Sequence, residues 1–240
     1  MNESEEGASL RRLVRLGNVD KVTTCLESEI DIDSRDSLNG YTALHEACFS
    51  CNEEIVSLLL RRKANVNAKS YAGWSAVMIA SFFGHAGILR LVLAYGAIVN
   101  MRDNSGSTAI HMACFYGEQS CVALLIRHAA QVDLENSKGQ TPVDIARQKG
   151  LLSIIQLVYH HSPSLRDRNN RLPLHNVLLD RDWTWREGIC SIVASYKEGI
   201  SMKDGKTGLY PFLLASVRKY DLDTGYHLLR RAPYLLHESG

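Results

Sequence analysis

Three stretches of the chain repeat one arrangement of apolar and polar positions: IVSLLLRRKANVN from Ile55, ILRLVLAYGAIVN from Ile88 and CVALLIRHAAQVD from Cys121. Residues 55–60 and 88–93 carry their apolar side chains at helical rather than alternating spacing, which predicts helices. Ahead of each core lies a shorter segment: TALHEA from Thr42, SAVMIA from Ser75 and TAIHMA from Thr108, with TPVDIA from Thr141 as a fourth. Each begins two residues after a glycine, and Gly40, Gly73, Gly106 and Gly139 recur at an interval of 33. A Thr or Ser at a helix entrance can accept an orphan backbone N–H, and Pro142 sits where a missing N–H costs nothing. The glycines suit turns that need positive φ. The pattern predicts a short helix, a turn, a second helix and a return loop, repeated in phase.

A helix pair of this size cannot bury its own apolar face, so its stability must come from stacking on neighbours. The T-A-L-H-E-A and T-A-I-H-M-A segments, with the G-A-I-V-N return at Gly96, resemble the ankyrin repeat. The likeness is close over residues 41–139 and extends from about Ala8 to Asn170. It implies an all-α solenoid of helix-turn-helix units with hairpin fingers along one edge, about seven units here. Residues 1–40 keep the second-helix phase (LVRLGNVDKVTTCL) without the T-P-L-H start, and read as an N-terminal capping repeat. Residues 41–170 carry the repeats. Within 171–240 the motif restarts as LPLH at Leu172 and as YPFLLA at Tyr210, which reads as two divergent repeats closing the stack. A separate C-terminal box of another fold is the alternative. The extra length between those restarts falls around DRDWTWRE (180–187), read as an extended loop between helices.

The 240 residues are 45% hydrophobic and 22% charged, an ordinary globular balance. No apolar run approaches the roughly 18 residues that span a bilayer. The acidic, polar first nine residues lack the apolar core of a signal peptide. Six cysteines are too few for a disulfide scaffold and are expected to be reduced thiols. The expected setting is intracellular and cytoplasmic, with the nucleus open to it. Net charge is +1, but residues 1–40 carry −4 and residues 140–240 carry +4. That excess is too small to predict a nucleic-acid surface.

Catalytic constellations are not expected. Gly205-Lys206-Thr207 looks like the end of a phosphate-binding loop, but Ile200 stands where that motif needs its first Gly. Cys48 and Cys51 form a C-x-x-C without a second pair at zinc spacing. Cys48 and Cys114 share one repeat position where close helix packing wants a small residue, and Cys51 is left as a redox candidate. His45 and His111 belong to the motif, and the resemblance implies that they bond the turn. His160 and His161 have no third ligand in view. The reading is non-enzymatic, without cofactor, metal or small-molecule substrate. The resemblance also implies that Asn67 and Asn100 are positions where the family is sometimes hydroxylated.

In ankyrin folds partners are usually held on the concave side, by finger tips and first helices. The corresponding positions here are rich in aromatics: Tyr41 and Phe49, then Tyr71, Trp74, Phe82 and Phe83, then Phe115 and Tyr116. Large rings at adjacent exposed positions bury much area with few rotors to freeze. The expected function is binding of another protein on this face, as a subunit of a larger assembly or alone, with Trp74 and Phe82 as anchors. Two alternatives stand beside it. Residues 171–240, with Trp183 and Trp185, would recruit an effector such as a ubiquitin ligase; or the basic C-terminal third would serve a nucleic-acid-associated regulator.

Overall fold

The computed structural model describes residues 5–162, 164–167, 171–179, 189–195, 197–217 and 222–232. The chain divides into two compact units, 1–154 and 155–240. Every regular element among the described residues is helical.

In the first unit, helices alternate between two rows. The inner row is α1 (Glu5–Arg15), α3 (Ala43–Phe49), α5 (Ala76–Phe82), α7 (Ala109–Tyr116) and α9 (Pro142–Gln148). The outer row is α2 (Val19–Cys25), α4 (Glu53–Arg61), α6 (Ala86–Ala94) and α8 (Gln119–Arg127). Each inner helix packs on the next inner helix, and each outer helix on the next outer one. The apolar pattern explains the stacking. Ile55, Val56 and Leu59 are fully buried, as are Ile88, Leu89 and Val92 and, one repeat on, Cys121, Val122 and Leu125. Each such aliphatic side chain contributes roughly 1.5–3 kcal/mol by leaving water. Cys48, Ser81 and Cys114, equivalent in the repeat, are each 0% exposed and allow the inner helices to approach closely.

Helix starts follow the sequence signals. Asn18 and Asn52 accept from the N–H of Lys21 and Ile55 at 2.9 and 3.0 Å, capping α2 and α4. Thr42 and Thr108 open α3 and α7, and their side chains meet the Nδ1 of His45 and His111 at 2.9 and 2.8 Å. At Thr141 the carboxylate of Asp144 takes the same place, 2.8 Å from the hydroxyl.

The fingers are tight loops rather than paired strands. Each closes on itself, Ser70 N–H on the Trp74 carbonyl (2.8 Å) and Asp103 N–H on that of Ser107 (2.9 Å). Each also donates to the finger before it, Tyr71 N–H to Asn39 and Asn104 N–H to Ala72. Lys69 and Arg102 add side-chain bonds to the carbonyls of Arg102 and Glu135.

The second unit begins within α10 (Leu152–His161) and holds α11 (Pro173–Leu179), α12 (Cys190–Ser195), a 3-10 turn (Lys197–Ser201), α13 (Pro211–Val217) and α14 (Leu222–Arg231). Here α11 packs on α13, and α13 on α14. Leu172 N–H donates to His175 Nδ1 at 3.3 Å, repeating the local geometry of His45. Asp204 N–H closes a finger on Leu209, and its buried carboxylate binds Thr207 and, at 2.8 Å, Arg171. The segment 180–187 with Trp183 and Trp185 lies outside the described residues.

Candidate functional site: an aromatic ladder on the inner helices

The last two residues of each inner helix segment face the fingers, and the 33-residue step places them in register. Phe49, Phe82 and Phe115 are equivalent, and so are Ser50, Phe83 and Tyr116. Their rings touch across repeat boundaries. Phe49 meets Phe83 edge-on at 4.9 Å, Phe83 meets Phe82 at 4.7 Å, and Phe82 meets Tyr116 at 4.1 Å. Tyr116 then meets Phe115 at 5.0 Å, and the Lys149 ammonium lies 3.8 Å over the Phe115 ring. Trp74 reaches in from the second finger and leans on Phe82 at 5.0 Å. Six of the eight residues expected from the sequence therefore form one connected ladder.

Exposure divides the ladder into supports and outward faces. Phe49 is 53% exposed, Phe115 45% and Tyr116 46%, whereas Trp74, Phe82 and Phe83 are half-buried. The half-buried rings hold the exposed ones in place, so the expected anchors Trp74 and Phe82 are also packing residues. Tyr41 and Tyr71 stand beside the ladder without a ring contact to it among the described residues. Tyr41 stacks on His45 at 5.4 Å, and burial raises its phenol pKa. Tyr71, 55% exposed, lies against Gly40, where an added Cβ would stand 2.7 Å from its ring.

An open cleft of about 610 Å³ adjoins Phe49, lined by Arg15, Asp36, Leu38, Tyr41, Glu46 and their neighbours. Arg15 binds Glu46 at 2.6 Å and Asp36 at 3.5 Å. The bond to Glu46, against some burial, raises the Arg15 pKa. Burial works against ionisation of Asp36, but the N–H groups of Leu38 and Asn39 and the nearby Arg15 hold its pKa below the usual value. Leu38, 90% exposed, forms the rim.

Sequence reasoning passed over Arg15 and Leu16. Aligned on the helix caps Asn18 and Asn52, which are 34 residues apart, they occupy the cap's equivalents of Phe49 and Ser50, and Leu16 is 71% exposed. The match of Asn18 to Asn52, 34 rather than 33 residues apart, was the available signal.

The repeated stack of helix pairs, with fingers bonded one to the next, decides the family when set beside known proteins. A family model described as ankyrin repeats (3 copies) matches residues 10–103 and 93–169. The chain belongs to the ankyrin-repeat family. Such repeats are protein–protein interaction modules and in general non-enzymatic. Among curated proteins, BCL-6 corepressor-like protein 1 of Mus musculus is 42% identical over 74 residues, covering 30% of this chain and 4% of that protein. Its Homo sapiens counterpart is 40% identical over 74 residues, with the same shares. Ankyrin repeat domain-containing protein 40 of Homo sapiens is 34% identical over 65 residues, 27% of this chain and 18% of that protein. The matches thus span a small part of these relatives' own length.

Among the described residues no three His, Cys, Asp or Glu side chains are grouped to hold a metal ion. Nor is any described helix long and apolar enough to cross a membrane.

Proposed function

We propose that this ankyrin-repeat chain binds a partner protein on the face made by its fingers and inner helices, with the aromatic ladder as the docking surface. The observation that carries this reading is the ladder's continuity. Phe49, Phe115 and Tyr116 keep roughly half their surface in water although each contacts a neighbouring ring. A core would cover such rings; a docking patch holds them rigid and open, so that binding freezes few rotors. Tyr41, Tyr71 and Leu38 flank the patch on the finger side.

The test is a crosslinking pull-down from native lysate with wild type, with Trp74→Ala/Phe82→Ala, and with Phe115→Ala/Tyr116→Ala. A partner recovered with wild type and lost with both variants supports the reading. Each exposed ring is expected to contribute on the order of 2 kcal/mol to binding. Phe115→Ala/Tyr116→Ala removes exposed area and should leave the melting temperature within a few degrees of wild type. A partner retained by both variants places docking elsewhere.

A further inference from the structure

The two ends of the ladder differ in how their charges are satisfied. At the Phe49 end the charges that line the cleft have mates: Arg15 holds Glu46 and Asp36, and nearby the buried Arg11 donates to the Ser34 carbonyl at 2.7 Å. In the middle, Lys69 and Arg102 donate to backbone carbonyls, and the Asp103 carboxylate accepts from the N–H of Ser105 and Ser107. At the Phe115 end stand Lys138, on the fourth finger, and Lys149, after α9. Both are exposed, and neither has a carboxylate within 4 Å among the described residues. Asp144, the nearest acid in sequence, is engaged by Thr141 at 2.8 Å and Arg147 at 3.6 Å. A bond from Gln140 to Gln148 at 2.9 Å ties that finger to the end of α9, joining the two segments that carry the lysines.

Resting on the docking surface proposed above, we infer that its occupant is an extended peptide segment with large apolar side chains and Asp or Glu at the end lying over Lys138 and Lys149. A ligand that covers the Phe115 ring also covers the ammonium 3.8 Å above it. Taking that charge out of water is unfavourable unless the ligand supplies an anion. At the Arg15 end the guanidinium already has two carboxylates, so a ligand there needs to bring apolar area only. The occupant is therefore polarised: apolar toward the Leu38 and Phe49 cleft, acidic toward α9. A single-stranded nucleic acid would also stack on rings, but it brings a phosphate at every residue and meets unpartnered cations at one end only.

The full chain is panned against a random dodecapeptide display library, and selected peptides are measured by fluorescence anisotropy. Peptides enriched in Asp or Glu beside aromatic or Leu residues are expected. Lys138→Glu/Lys149→Glu should weaken them about tenfold or more, and versions with Lys in place of the acids should prefer that variant. Phe115→Ala/Tyr116→Ala should weaken both peptide sets. Ring-dependent peptides with no acidic enrichment and no response to charge reversal overturn the polarity and leave the docking face standing. Peptides indifferent to the ring variant overturn both, and a library that yields no binder overturns the peptide occupant. Displacement of the peptides by a dT20 oligonucleotide bound more tightly than any of them assigns the face to nucleic acid instead.

Discussion

His45 Nε2 and the Trp74 carbonyl lie 3.1 Å apart, so one buried imidazole ties the inner helix of one repeat to the finger of the next. The tautomer is dictated by its partners. The Thr42 backbone N–H points at Nδ1 from 3.1 Å and can only donate, and the carbonyl can only accept, so the proton is on Nε2. His111 repeats the arrangement with Thr108 and Gln140. His175 does so with Leu172 and Met202. The finger that His45 holds carries Trp74, which in turn supports Phe82, so the ring links the repeat's structure to the aromatic ladder.

Acid should therefore loosen the stack well before it protonates carboxylates. Burial lowers the His45 pKa from 6.5 to about 4, and it lowers those of His111 and His175 as well. The folded state thus disfavours protonation that the unfolded chain accepts near pH 6.5. The stabilisation is fully present above that pH, declines as pH falls below it, and for His45 is exhausted near pH 4. His45 alone accounts for roughly 3 kcal/mol across the window. Asp36 and Asp204 have pKa values lowered below 3.8 and lose their contributions at lower pH, so pH 7.5 to 5 isolates the imidazoles. Urea midpoints should fall steadily between those limits, and less steeply in His45→Asn. Midpoints that stay flat in wild type would contradict the assignment.

The third repeat lacks this bond because Met78 stands where its neighbours have histidine. Its Ser75 hydroxyl is left buried without a partner. Removing an unsatisfied hydroxyl relieves a desolvation cost, so Ser75→Ala should be neutral or stabilise by up to about 1 kcal/mol. Thr42→Ala, which loses its contact with His45, should cost about 1 kcal/mol. Introducing Met78→His should reverse the sign at Ser75, since the hydroxyl then has an acceptor. A double-mutant cycle on thermal unfolding measures that coupling. Equal effects of Ser75→Ala and Thr42→Ala would show that the histidine does not decide the role of the hydroxyl.

The return loops after α4, α6 and α8 all need a left-handed residue, but only one has glycine. Lys63, Gly96 and Ala129 are equivalent, with φ of 65°, 82° and 60°. A side chain there costs roughly 1 kcal/mol. Lys63→Gly and Ala129→Gly should each raise stability by up to that amount, offset in part by a more flexible unfolded chain. Gly96→Ala meets nothing within 4 Å and should lose only the conformational term. Chemical denaturation of the three variants decides it, and a destabilised Ala129→Gly would mean that unfolded-state entropy dominates.

Period and phase made the first 170 residues legible, because the 33-residue interval fixes both the helix faces and the turn glycines. The eight aromatics were legible as a set for the same reason. Their connectivity was not: that Phe83 contacts Phe49 of the preceding repeat while Phe82 contacts Tyr116 of the following one depends on side-chain direction across an interface. The motif also concealed its own extension, since Arg15 and Leu16 stand at the end of a helix without T-P-L-H. Glu53 was equally out of reach. Its carboxylate occupies the space a Cβ would need at Gly87, a contact between neighbouring repeats that no local pattern encodes.

The cysteines offer a readout of how the stack opens. Cys51 is exposed, while Cys48 is buried in α3 and Cys114 and Cys121 are both buried two repeats further on, in α7 and α8. Burial raises the thiol pKa of Cys48 well above its ordinary value, that of Cys114 to about 12 and that of Cys121 to about 11. The thiolate is the reactive form, so these three are protected both by access and by protonation. Under native conditions Ellman's reagent should modify Cys51 fastest, Cys25 and Cys190, which are half-buried, more slowly, and the other three only when the structure opens. Because each repeat contacts only its neighbours, opening need not be global. If Cys114 and Cys121 become reactive at a lower urea concentration than Cys48, the stack opens from the α9 side. If all three appear together, the repeats between α3 and α8 open as one unit, and the aromatic ladder that crosses their interfaces is part of what couples them. Fast reaction of all six thiols without denaturant would contradict the buried positions themselves.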